Sequence, residues 1–151
     1  MQLVFRSLYF IRREYCCKYD TFGKIRYKKE AFDMKIGIAG SGGIVRVALE
    51  ALRQAEGAEA AAICVREPKL ALGRELAERF GIGSVYTDYD KMLADPSLDF
   101  IYIGIVNSLH YDYARRALEA GKHVIAEKPF TSTAEEAREL LALAERKRLF
   151  L

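Results

Sequence analysis

Lys128 is the side chain best placed to do chemistry in this sequence. It stands in His123-Val124-Ile125-Ala126-Glu127-Lys128-Pro129-Phe130, where Val124 to Ala126 form the short apolar run that a buried parallel strand needs. Pro129 stops that strand, because proline lacks the N–H a sheet ladder requires. Ligands of open α/β sheets bind beyond the carboxyl ends of the strands, so the run presents one ammonium group at a ligand-binding position. A cation so placed at a strand end is a candidate catalytic residue.

Gly40-Ser41-Gly42-Gly43-Ile44-Val45 directly follows an apolar strand pattern and opens a helical one. That is the context a dinucleotide-binding turn requires. The first glycine permits the tight turn, the second lets the backbone approach a pyrophosphate, and free N–H groups at the helix start attract its charge. Gly40, Ser41, Gly42, Gly43 and Ile44 are therefore candidate cofactor contacts. Val45 occupies the third fingerprint position, where glycine or alanine is usual, and its bulk predicts a slightly wider approach of helix to strand. Further on, Ala62-Ile63-Cys64-Val65-Arg66-Glu67 ends the second strand with Val65 where an acidic ribose ligand is expected. Arg66 can hold a 2′-phosphate, which favours NADP over NAD. The other readings are a solvated loop charge at Arg66 and a ribose contact from Glu67.

Asn107-Ser108-Leu109-His110 ends the fourth strand and starts a helix. In one reading Asn107 or Ser108 caps that helix and His110 is a surface residue of its first turn. In the other, Asn107 and His110 face the nicotinamide end of a bound cofactor, because strand four lies across the crevice from strand one. His123 precedes a buried strand and is assigned to structure. No metal site is expected.

Positioning these residues takes repeated β-α units, and from Met34 onward short apolar runs do alternate with amphipathic stretches. Strands are expected at Lys35 to Ala39, Ala60 to Val65, Val85 with Tyr86, Phe100 to Ile105, and Val124 to Ala126. The first helix runs from Gly43 to Gln54, and the second follows Pro68 and ends at Gly81. A short helix spans Asp90 to Ala94, and the fourth runs from Asn107 or Ser108 to Gly121. The fifth starts near Ser132, where Ser132 with Glu135 or Thr133 with Glu136 offers a capping box, and carries Arg146, Lys147 and Arg148 in its last turn. These elements make an α/β doubly wound parallel sheet, a Rossmann fold in strand order 3-2-1-4-5, with a sixth strand barely begun at Leu149-Phe150-Leu151.

Composition divides the 151-residue chain at Met34. The net charge of +3 comes from residues 1–33, with 8 Lys+Arg against 4 Asp+Glu, whereas residues 34–151 carry 16 against 17. The folded part thus lacks the basic face that nucleic acid or a membrane surface selects. Residues 1–33 also hold eight of the seventeen aromatics but one alanine, against nineteen alanines in the rest. Cys16, Cys17 and Cys64 make no spaced disulfide framework, and a reduced, buried thiol at Cys64 suits a cytoplasmic location. No apolar run approaches the ~20 residues that cross a bilayer. Arg6, Arg12 and Arg13 break the one candidate signal-peptide core, Leu3 to Ile11.

Residues 34 to 151 resemble the glucose-fructose oxidoreductase / inositol dehydrogenase / rhizopine catabolism (Gfo/Idh/MocA) family. The resemblance rests on Lys35-Ile-Gly-Ile-Ala-Gly-Ser-Gly-Gly-Ile, on Asn107-Ser-Leu-His110, and above all on Ala120-Gly-Lys-His-Val-Ile-Ala-Glu-Lys-Pro-Phe130. It implies that Gly40 and Gly42 contact the pyrophosphate and that Asn107 and His110 line the cofactor crevice. Lys128 would stand beside nicotinamide and substrate, with Glu127 and Pro129 positioning it and Glu127 counted among the cofactor-binding residues. The sequence departs from the family at Val45, at Val65 and at Val106, where a proline commonly precedes the asparagine.

The activity so implied is hydride transfer between NAD or NADP and a sugar or polyol-like substrate. Family members continue into a second α/β domain that binds the substrate, so the chain is expected to be truncated and incomplete alone. The alternative is a non-catalytic nucleotide-binding or sensing module, or a partner subunit. A methyltransferase lacks its acidic partner at the second strand end. An uncovered sheet edge after Leu151 predicts self-association or pairing with a second chain. Residues 1–33 are expected to lie outside the fold as an over-extended reading frame, with Met34 the natural start. The functional alternative is a basic, aromatic arm.

Overall fold

The computed structural model describes residues 18–19, 25–26 and 34–151. Lys18–Tyr19 pairs antiparallel with Ile25–Arg26; the readings of residues 1–33 otherwise lie outside the described residues. From Met34 the chain alternates five strands with helices. The strands are β1 (Met34–Ala39), β2 (Ala58–Cys64), β3 (Ser84–Tyr86), β4 (Phe100–Ile103) and β5 (His123–Ala126). The helices are α1 (Gly43–Leu52), α2 (Leu70–Phe80), α3 (Tyr89–Leu93), α4 (His110–Glu119) and α5 (Ala134–Lys147).

The strands pair in parallel in the order β3-β2-β1-β4-β5, which is the expected doubly wound order. Successive side chains of a strand point to opposite faces, so each strand supplies two cores. Ile36, Ile38, Ile63, Phe100 and Tyr102 pack under α1 and α2 with Val45, Leu49 and Leu76. Ile101, Ile103 and Val124 pack on the other face with Met92, Leu118 and Leu140, under α3, α4 and α5. The chain leaves β1 toward β2 on one side and returns to β4 on the other, which opens a crevice at the carboxyl ends of β1 and β4.

The element ends differ from expectation for local reasons. α1 stops at Leu52 because its last turn tightens into bonds from Gln54 N–H to the Ala51 carbonyl (3.1 Å) and from Ala55 N–H to the Leu52 carbonyl (3.0 Å). The second and fourth helices are entered through 3₁₀ turns, Glu67–Lys69 and Asn107–Leu109. Val106 takes the cap position of the latter and no side chain caps either start, which corrects the reading of Asn107 or Ser108 as a cap. Of the two capping boxes offered to α5, the Thr133–Glu136 pair forms. Arg148 lies beyond that helix at φ 56, so only Arg146 and Lys147 face its carboxyl end.

At the chain end, Phe150 lies beside β5: its carbonyl accepts from Val124 N–H (2.9 Å) and its N–H donates to His123 Nδ1 (3.0 Å). The His123 ring lies 4.7 Å from Phe100 and 5.0 Å from Phe150, centroid to centroid. His123 is structural, as expected.

Candidate functional site

The glycine turn joins β1 to α1. Gly40 has φ +115, and a Cβ there would stand 2.4 Å from the Gly104 carbonyl oxygen, so only glycine lets the ends of β1 and β4 approach this closely. Gly42 and Gly43 differ: a Cβ on either would meet nothing within 4 Å. Both positions are open to a close-approaching group. Gly42 is the N-cap of α1, no side chain caps it, and the first turn carries no acidic residue. The helix start thus keeps its N–H groups for an external anion. Ser41 is half-buried in the turn and Ile44 is partly exposed above it.

Val45 is fully buried, yet helix and strand still pack closely. The residue facing it is Gly104, where a Cβ would come within 2.8 Å of Val45 Cγ2 and 2.9 Å of Tyr102 Cε1. The room that alanine would leave at position 45 is supplied from the end of β4 instead, which answers the expected wider approach. A single glycine in an apolar strand pattern is a signal of close backbone approach, so Gly104 was detectable.

Val65 has a similar explanation. Its side chain is buried against α2, where Gly73 leaves space: a Cβ on Gly73 would stand 2.7 Å from Val65 Cγ2. The position expected to hold a ribose ligand therefore serves the core. Arg66, the next residue, is exposed. It lies near enough to Tyr113 of α4 for its charge to oppose the rise that burial imposes on that phenol.

Asn107 is exposed beyond β4. His110 is not: its ring is buried, with Nδ1 2.8 Å from the Pro129 carbonyl oxygen and Nε2 3.1 Å from the Ile105 carbonyl oxygen. The surface reading of His110 is corrected by that burial. Each ring nitrogen faces a backbone carbonyl, to one of which a neutral imidazole donates, so its link to the crevice runs through the Pro129 turn.

Glu127 extends the β5 ladder by one residue, its N–H donating to the Ile103 carbonyl at 3.1 Å. Its carboxylate accepts a 2.7 Å hydrogen bond from Tyr102. Tyr102 is buried, and burial followed by that hydrogen bond raises its phenol pKa. Lys128 follows, exposed, and makes no hydrogen bond or ion pair among the described residues. The Lys128–Pro129 peptide is cis.

A groove of about 540 Å³ lies elsewhere, lined by Asp90, Leu93, Pro96, Arg116 and Lys122 among others. It sits at the amino ends of β4 and β5, opposite the glycine turn and Lys128. Its buried lysine is structural, since Lys122 Nζ donates to the carbonyls of Asp95 (2.7 Å) and Leu98 (2.9 Å). The chemistry-bearing residues lie at the other end of the sheet.

Known proteins resemble this chain over the same residues. The family described as "Oxidoreductase family, NAD-binding Rossmann fold" (GFO_IDH_MocA) matches residues 34–151. An uncharacterized oxidoreductase, ORF334 of Rhizobium meliloti, is 42% identical over 114 residues, 75% of this chain and 34% of the relative. D-xylose 1-dehydrogenase (NADP(+)) 2 of Haloferax volcanii is 42% identical over 104 residues, 68% of this chain and 31% of the relative. The chain thus spans about a third of the length of these curated relatives. Among solved structures, KijD10, a 3-ketoreductase from Actinomadura kijaniata in complex with NADP and TDP-benzene, superposes with TM-score 0.74 at 34% identity, covering 79% of this chain and 36% of that one. With the family match spanning residues 34–151, the chain belongs to the Gfo/Idh/MocA oxidoreductases through its NAD(P)-binding Rossmann domain.

Proposed function

We propose that residues 34–151 hold NADP, in preference to NAD, for hydride transfer to or from a hydroxyl-bearing carbon of a sugar or polyol-like substrate. The observation that carries this reading is an exposed Lys128, unpaired among the described residues, on the same strand-end face as an uncapped, uncluttered glycine turn. Gly40 to Ile44 would hold the pyrophosphate, and Arg66 the 2′-phosphate, since Val65 is turned into the core and Arg66 remains exposed. A bound nicotinamide supplies or takes the hydride. Lys128 orients the substrate hydroxyl and shares its proton, and Asn107 lines the crevice between them.

Hydride transfer needs water excluded from the reacting atoms. Four exposed apolar residues, Ile44, Val47, Val106 and Leu109, lie on α1 and the loop after β4, next to the crevice. Such a patch favours cover by a second folded unit that carries the substrate site. Sugar chemistry is supported by the relatives: besides the D-xylose dehydrogenase, a dTDP-3,4-didehydro-2,6-dideoxy-alpha-D-glucose 3-reductase of Saccharopolyspora spinosa is 35% identical over 119 residues.

Titration of the full chain with NADPH and with NADH, followed by thermal unfolding, tests the reading. NADPH should bind about tenfold more tightly, a difference of roughly 1.4 kcal/mol. Arg66→Ala should erase the preference and leave NADH affinity unchanged. A midpoint unmoved by either dinucleotide would refute the cofactor assignment, and equal affinities would refute the preference.

A further inference from the structure

We propose that Tyr102 and His110 are positioning residues that aim Lys128, one gripping the residue before it and the other the residue after it, from opposite faces of the sheet. Tyr102 lies in the layer under α1 and α2 and its hydroxyl donates to Glu127 Oε1 at 2.7 Å. His110 opens α4 on the other face, with Nδ1 2.8 Å from the Pro129 carbonyl oxygen. Its Nε2 lies 3.1 Å from the Ile105 carbonyl oxygen; a neutral imidazole donates to only one of these two carbonyls, and the tautomer that carries its proton on Nδ1 grips the turn after β5. The Glu127 N–H on the Ile103 carbonyl adds a third tie to the same neighbour. Lys128, the one residue between the two anchors, has no partner of its own among the described residues.

Packing alone does not require these side chains. Phenylalanine would fill the space of the Tyr102 ring and leucine most of that of His110, with no hydroxyl or imidazole to desolvate. Each buried polar group instead finds its partner in the turn that carries the lysine. Gly104 makes the Tyr102 anchor possible, since a Cβ there would strike the ring at 2.9 Å. A long amine reaches reproducibly only from a fixed backbone, and misplacement by about 1 Å can cost ~10²-fold in rate. The lysine's chemical role rests on the proposed hydride transfer; the clamp itself is measurable without it.

Backbone ¹⁵N relaxation of the full, ligand-free chain reads the clamp directly. The Lys128 amide should have the order parameter of the sheet, about 0.85, and fall below about 0.6 in the Tyr102→Phe/His110→Leu double variant while the sheet amides hold. Glu127→Gln should keep Lys128 rigid, because its amide oxygen still accepts the Tyr102 hydroxyl, whereas Glu127→Ala should loosen it as Tyr102→Phe does. Should the double variant not fold, Tyr102→Phe and the two Glu127 variants decide. Lys128 as rigid in Tyr102→Phe and Glu127→Ala as in the wild type overturns the proposal. NADPH titration of the same samples separates the two readings: a wild type that shows this rigidity pattern without binding NADPH supports the clamp and removes the cofactor assignment, while binding with no rigidity change removes the clamp alone.

Discussion

Gly40 and Gly42 lie two residues apart in one turn and serve different ends. At Gly40 the left-handed φ and the 2.4 Å approach to the Gly104 carbonyl are both closed to an L side chain. Gly40→Ala should therefore destabilise the fold by about 3 kcal/mol or more, read as a lower urea midpoint. Gly42 has φ −74 and open space around it. Gly42→Ala should leave stability within about 1 kcal/mol yet lower NADPH affinity about tenfold or more, if the proposed phosphate contact at this glycine holds, because the methyl group would then stand in the way of the phosphates. A Gly42→Ala protein that binds NADPH normally removes that glycine from the site. The fingerprint itself was legible from sequence, since it is local and its chemistry needs glycine at set positions. The division of labour within it was not, because it depends on Gly104, dozens of residues away.

Among the elements, helix starts show how far local signals reach. Both capping boxes before α5 satisfy the spacing rule, and the chain uses Thr133, whose Oγ1 accepts from Glu136 N–H at 3.2 Å while Glu136 Oε2 accepts from Thr133 N–H at 3.2 Å. Thr133→Ala should cost about 1 kcal/mol in chemical unfolding, and Ser132→Ala should cost much less. Equal losses would mean that the two boxes exchange. At the start of α4 the sequence offered Asn107 or Ser108 as a cap, but a 3₁₀ turn takes the place of a side-chain cap, and its register buries His110 rather than exposing it. Strand identities were legible because two-sided burial yields short apolar runs, whereas strand ends moved by one or two residues with the local ladder. β4, expected to reach Ile105, stops at Ile103.

At the scale of the whole molecule, two cores on either side of one sheet leave a titratable group deep in each layer. Burial pushes the Cys64 thiol up from 9.0 to about 11, and burial also raises the phenols of Tyr89 and Tyr102. A raised folded-state value leaves stability fully present below the unfolded pKa and removes it as pH climbs toward the folded one. Stability should therefore be level up to about pH 9 and fall between pH 9 and 11, with Cys64 contributing about 3 kcal/mol at most. Urea unfolding at about pH 8 and about pH 10.5 checks this, and Cys64→Ala should flatten part of the slope. An unchanged midpoint between the two would contradict the burial of these groups.

By itself the sequence determined the fold class, the strand order, the glycine turn and the strand-end lysine. Those features follow from period, from backbone freedom and from residues adjacent in the chain. Only the tertiary structure decided that Val65 faces α2 over Gly73, that Gly104 makes room for Val45, and that Tyr102 and His110 reach the turn around Lys128. Each of these is a contact between residues far apart in sequence, set by strand register and by which face a side chain takes. Periodicity places a residue on a face but does not name the residue opposite.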